Sequence, residues 1–152
     1  MLFKVEKIKL MADYGCYPLW WADADKVGNI DPETLPLSQE TITRLEKWAD
    51  IYDAKLNWED PNSSGFPSLE AKETFEAEGI SLWKQLQKEL APNYEVFYFS
   101  ETLRKVVSDI NELDSLRVIY TSSIIIVGKF ESLIVPLKVH HKSTPNFLTP
   151  RR

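Results

Sequence analysis

A single cysteine, Cys16, stands in a chain of 152 residues. No disulfide can form within the chain, which excludes a disulfide-stapled secreted scaffold and a thiolate zinc cluster. Glycine is scarce, five in all, and none are grouped into a phosphate-cradling loop. A Ser-centred nucleophile elbow is also missing. Basic residues are outnumbered, 18 against 23 acidic, for a net charge of −5; a general nucleic-acid binder needs the opposite balance on one face. Apolar runs are short, Ile124 to Val127 being typical of the longest, against the roughly 20 residues of a membrane helix. The N-terminal stretch intersperses lysines with apolar residues and has no h-region of a signal peptide. These absences predict a cytoplasmic protein with no cofactor and no metal, binding neither nucleic acid nor membrane.

What is present suits one α+β (mixed α/β) domain over residues 1–142, followed by a frayed tail over 143–152. Apolar residues make up 43% of the chain, enough for a core without staples. Ile8 and Leu10 alternate with Lys7 and Lys9, predicting a first strand over residues 3–11 with one wet face. Residues 16–37, with Gly28 and Pro18, Pro32 and Pro36, read as a long irregular connection. Ser38 caps a helix running to Leu56, whose apolar face is Ile42, Leu45, Trp48, Ala49 and Tyr52. A turn-rich loop over 57–65 follows. Ser68 caps a second helix to Leu90, with Phe75, Gly79, Leu82 and Leu86 on its buried stripe and Pro92 beyond its end. Glycine there costs about 1 kcal/mol of helix propensity, so its place on the stripe predicts close packing against a neighbour. Tyr94 to Phe99 reads as an interior strand and residues 101–113 as a third helix capped by Ser100. The runs Leu116–Val127 and Phe130–Val139, parted by Gly128-Lys129, predict a hairpin. Charge changes along the chain: residues 1–104 hold 11 basic and 19 acidic residues, residues 105–152 hold 7 and 4. The expected architecture is a small sheet with two to three helices packed mainly on one face.

Each chemical candidate has an ordinary structural counterpart. Asp60-Pro61-Asn62-Ser63-Ser64-Gly65 begins like a calcium loop, but the twelfth position is Ala71 where a bidentate Glu is needed; a tight turn before the Ser68 cap explains it. Cys16 with His140 or His141 lacks any surrounding nucleophile motif, and adjacent histidines on a strand point apart and chelate poorly. No catalytic residue is assigned. Asp13, Asp23, Asp25 and Asp31 flank an aromatic cluster of Tyr17, Trp20 and Trp21. As a partner-binding surface this acidic, aromatic loop, extended by Trp58, Glu59 and Asp60, would attract a cationic protein by charge and cation–π contact. As a catalytic or sugar-holding site, the same 13–31 stretch would make a small hydrolase or carbohydrate-binding domain, which needs two carboxylates to converge. A third reading uses the Ile124–Val127 strand as an edge for assembly between chains.

Several segments together carry a resemblance: Leu10-Met11-Ala12-Asp13-Tyr14-Gly15-Cys16-Tyr17-Pro18-Leu19-Trp20-Trp21, Asn29-Ile30-Asp31-Pro32, Leu35-Pro36-Leu37-Ser38, Trp48-Ala49 with Tyr52-Asp53, Asp60-Pro61 to Ser64-Gly65-Phe66, Phe75-Glu76 with Glu78-Gly79, and Leu82-Trp83. Over residues 1–104 the chain resembles small bacterial immunity proteins of contact-dependent inhibition and related polymorphic toxin systems. The resemblance implies a non-enzymatic inhibitor that binds one cognate toxin domain, often a nuclease. A nuclease cleft is basic because it must attract phosphate, so an acidic inhibitor suits it.

Overall fold

The computed structural model describes residues 3–114. The expected hairpin over 116–139, the His140-His141 pair, the Ile124–Val127 edge and the 143–152 tail lie outside the described residues. Strand β1 (Glu6–Leu10) forms where lysines alternate with apolar residues, and it buries Ile8 and Leu10 completely. The 16–37 stretch is not the irregular connection its prolines and glycine suggest. It contains β2 (Leu19–Trp21) and β3 (Asn29–Ile30), joined by a turn in which Gly28 has φ +105°. Strands of three and two residues are too short for alternation to show in the sequence; β2 forms on the edge of β1, and β3 on the edge of β2. Helices α1 (Gln39–Ala54) and α2 (Leu69–Leu90) follow, then β4 (Tyr94–Ser100) and β5 (Lys105–Val107). The sheet order is β3-β2-β1-β4-β5; β1 and β4 are parallel and the remaining pairs antiparallel.

The helix boundaries follow from their caps. Ser38 Oγ accepts from the Thr41 N–H at 3.2 Å, and Ser68 Oγ accepts from the Ala71 N–H at 3.0 Å. Glu89 near the end of α2 accepts from the Ser38 N–H at 2.6 Å and from the Thr41 hydroxyl, which ties the start of α1 to the end of α2. Burial pushes the Glu89 carboxyl up, but the hydrogen bonds from Thr41, Ser38 and Gln85 outweigh it and hold the group below the ordinary range. The third helix expected over 101–113 does not form. Ser100 Oγ does accept from the Leu103 N–H at 3.0 Å, but the turn stops at Arg104, whose φ of +54° is left-handed. The chain then reverses, the β-branched Val106 and Val107 pair with β4, and a short 3₁₀ turn spans Ile110–Leu113.

The register places Ile8, Leu10, Leu19, Ile30, Val96, Tyr98 and Val107 on the face beneath the helices, all buried. The opposite face carries Lys9, Trp20, Asn29, Phe97, Phe99 and Val106. Helix α2 lies on β4 and α1 lies on α2. The core is aromatic: Trp48 stacks on Phe75 with ring centroids 4.5 Å apart, and Trp83 stacks on Tyr98 at 5.7 Å. Both buried indoles find a backbone acceptor, Trp48 Nε1–H on Phe75 O at 2.9 Å and Trp83 Nε1–H on Val96 O at 2.7 Å. Gly79 sits where α2, Trp48 and Tyr98 meet, as its place on the stripe predicted. A Cβ there would stand 2.5 Å from Tyr98 Oη and 2.8 Å from Trp48 Cζ2.

Two carboxylates on α2 are buried. Glu76 accepts from Ser100 Oγ and, at 3.2 Å, from the Glu101 N–H, fastening the end of β4; burial nonetheless pushes it up. Glu73 is 5% exposed, and its Oε1 has no hydrogen-bond partner among the described residues. Burial, aided by the Glu70 charge, raises its pKa.

Two outcomes follow. Gly79→Ala should lower unfolding free energy by about 2 kcal/mol in urea titration, since overpacking against two fully buried rings outweighs the helix-propensity gain. The folded Glu73 carboxyl holds its proton more tightly than the unfolded one, so its contribution is full at acid pH and lost as pH rises through the raised value. Glu73→Gln should therefore stabilise the protein by on the order of 1 kcal/mol at neutral pH, the gain vanishing toward about pH 4.

Candidate protein-binding surface

Parallel strands β1 and β4 give the sheet two distinct ends, and the acidic and aromatic candidates divide between them. The turn from β2 to β3 folds back on the start of β1. There Asp23 accepts from the Lys7 N–H at 2.9 Å, and Asp25 pairs with Lys4 at 3.0 Å. The Lys4 hydrogen bond holds the Asp25 carboxyl below the usual carboxylate range. Lys26 lies over the Trp21 ring, 4.2 Å from its centroid, and also pairs with Glu6. The cationic place over Trp21 is thus filled from within the chain.

Trp20 is half-buried on the outer sheet face, and its Nε1–H donates to Met11 O at 2.9 Å. Tyr17 is half-buried beside it, its N–H held by Asn29 Oδ1 at 2.9 Å. Asp31 accepts from the Glu33 N–H at 3.0 Å and caps the 3₁₀ turn Pro32–Thr34. Asp13 accepts from the Tyr14 N–H at 2.8 Å. Asp13 and Asp31 lie beyond the end of β1, whereas Asp23 and Asp25 lie at its start. The four carboxylates therefore do not gather into one cluster, and each is engaged by a hydrogen bond or ion pair from within the chain.

The other end is built around Lys55, at the C-terminus of α1. Its ammonium lies 4.1 Å from the Tyr52 centroid, 4.9 Å from that of Tyr14 and 5.4 Å from that of Phe66, and donates to Tyr14 Oη at 2.8 Å. Lys55 O accepts from the Gly65 N–H at 3.2 Å, closing the loop between α1 and α2 at its base. Asp53 Oδ1 accepts from the Gly15 N–H at 3.0 Å, docking the β1–β2 turn on the same helix end. This box draws on three separated segments. The only local hint is the i, i+3 spacing of Tyr52 and Lys55.

Within the loop, Asn57 acts as the hub. Its Oδ1 accepts from the Glu59 N–H at 3.0 Å and the Asp60 N–H at 3.2 Å, its Nδ2–H donates to Ser63 Oγ at 2.7 Å, and its N–H donates to Ser64 Oγ at 2.8 Å. Between these anchors stands Trp58, 86% exposed. Neither its indole nor the side chains of Glu59 and Asp60 make a hydrogen bond or ion pair among the described residues. The calcium-like spacing from Asp60 becomes a 3₁₀ turn, Pro61–Ser63, leading to the Ser68 cap. Among the described residues no three His, Cys, Asp or Glu side chains group to hold a metal ion, and no helix is long and apolar enough to cross a membrane.

A small α+β scaffold that displays an exposed indole beside the carboxylates of Glu59 and Asp60 on a hydrogen-bonded loop has the makings of a protein-recognition module. The chain belongs to the Serratia CdiI immunity protein-like family, whose model matches residues 6–101. The match runs from β1 to the end of β4 and so takes in both helices and the Trp58 loop. Among curated proteins none matches the chain. The family is that of the contact-dependent inhibition immunity proteins to which the sequence motifs pointed.

Removing the hub should loosen the loop without touching the core. Asn57→Ala is expected to speed hydrogen exchange at the Glu59 and Asp60 amides by about tenfold while leaving the α2 amides unchanged.

Proposed function

We propose that this protein neutralises a cognate bacterial toxin domain by direct protein–protein contact and performs no catalysis of its own. Membership of an immunity-protein family over residues 6–101 carries the reading. The charge supports it: the chain holds 18 basic and 23 acidic residues, net −5, with its acidic excess within residues 3–114, which hold 12 basic and 22 acidic. Such a surface speeds encounter with a cationic partner and disfavours phosphate backbones. A nuclease fits as the toxin, because its cleft is lined with cations that bind phosphate. The inhibitor would act where the toxin acts, in the cytoplasm, and would need no metal or cofactor. Of the surface expected from the sequence, the contact is drawn from Trp58, Glu59 and Asp60, whose side chains are exposed.

Co-expression with the toxin domain encoded beside this gene tests the reading. Cells should survive, and the two proteins should co-purify with a Kd on the order of 10 nM or tighter, weakening about tenfold or more as salt rises to roughly 0.5 M. Equal killing with and without this chain, together with no co-purification, would sink the reading.

A further inference from the structure

We propose that Trp58 is the central anchor of the toxin contact, inserted into an apolar cleft on the toxin whose rim carries lysine or arginine side chains paired with Glu59 and Asp60. The proposal deepens the immunity reading and rests on it.

Three observations carry it. First, Trp58 is 86% exposed while Trp48 and Trp83 are each 1% exposed. An indole standing in water contributes nothing to this core, yet on burial it removes roughly 200 Å² from solvent, and tryptophan is enriched among residues that dominate interfaces.

Second, the loop presenting it is already ordered. Asn57 Oδ1 holds the N–H groups of Glu59 and Asp60, Gly65 closes on Lys55 O, and Lys55 is held by Tyr14, Tyr52 and Phe66. The entropy of ordering that segment is lost on folding and not again on binding.

Third, the rival patch is engaged internally. Lys26 covers Trp21, Lys4 holds Asp25, Asp23 accepts from the Lys7 N–H, and Trp20 Nε1–H is bonded to Met11 O. A partner's cation would have to displace a lysine already in place there. At the Trp58 loop Glu59 and Asp60 make no side-chain hydrogen bond or ion pair among the described residues, so an incoming ammonium or guanidinium displaces only water.

The test uses the full chain and a catalytically inactivated form of the neighbouring-gene toxin domain. Binding is measured by calorimetry for the wild type, Trp58→Ala, the double variant Glu59→Gln with Asp60→Asn, and the double variant Asp23→Asn with Asp25→Asn. Trp58→Ala should weaken binding by about thirtyfold or more. The Glu59/Asp60 pair of changes should weaken it by about fivefold and flatten its salt dependence. The Asp23/Asp25 pair should stay within about twofold. The wild-type minus Trp58→Phe fluorescence difference isolates this indole, which should be open to acrylamide in the free chain and shielded in the complex. Binding by Trp58→Ala within threefold of wild type, or a Trp58 emission already shielded in the free chain, overturns the proposal and leaves the immunity reading standing. No binding by the wild type overturns both.

Discussion

The core depends on the close approach that Gly79 permits. With no side chain at that position, α2 settles onto β4 so that Tyr98 Oη and Trp48 Cζ2 occupy the space a Cβ would take. The arrangement of the rest follows from this contact. From α1, Trp48 stacks on Phe75 of α2 and meets Tyr98 of β4, so the gap at Gly79 bears on how α1, α2 and β4 pack together. Both indoles must enter a nearly waterless interior and both find a carbonyl there, which removes the penalty of burying an unpaired N–H. Helix α1 then ends where Tyr52 can face Tyr14 and Phe75, and Lys55 closes the aromatic group. The position of the Trp58 loop is in this sense a distant consequence of one missing methyl group.

Electrostatics divides the surface differently from what the sequence suggests. Asp23 and Asp25 stand close to Trp20 and Trp21 along the chain and read as a cation-seeking patch. In the fold Asp25 pairs with Lys4, Asp23 accepts from the Lys7 amide, and Lys26 of the turn itself covers Trp21. These contacts are exposed and individually weak. Their effect is to leave that end locally neutralised while the 58–60 segment keeps its charge. Net charge draws a cationic partner near; local pairing decides where it can settle.

The helices were legible because their signals are local. Ser38 and Ser68 cap, the apolar stripes repeat at helical spacing, and Pro92 stands beyond the second stripe. Strand β1 was legible for the same reason. Strands β2 and β3 were not, since the pairing of β2 to β1 and of β3 to β2 is a tertiary event and two or three residues carry no period. Residues 101–113 misled because Leu103, Val106, Val107 and Ile110 have a helical spacing, but Arg104 turns left-handed and Val106 pairs with Phe99. The candidate surface was legible in part. The turn-rich surroundings of Trp58 pointed to a loop, and a tryptophan in such a loop has few ways to be buried. That Lys26 would cover Trp21 depends on the path of a turn, which no nearby residue pattern records.

An inhibitor matched to one partner has to keep its fold while its recognition surface is free to differ. The arrangement of this chain separates the two demands physically. The loop between Asn57 and Gly65 leaves from the end of one helix and returns before the cap of the next, Ser68, whose bond to the Ala71 amide does not involve it. Its order derives from Asn57, Ser63, Ser64 and the Lys55 carbonyl, none of which lies in the core. Side chains at 58, 59 and 60 project from that frame without supporting it. Changes there leave Gly79, Trp48 and Tyr98 undisturbed, because distant sites that share no partners act independently. In the role proposed for it, a loop closed at its base and free at its tip can change specificity without drawing on the stability of the scaffold.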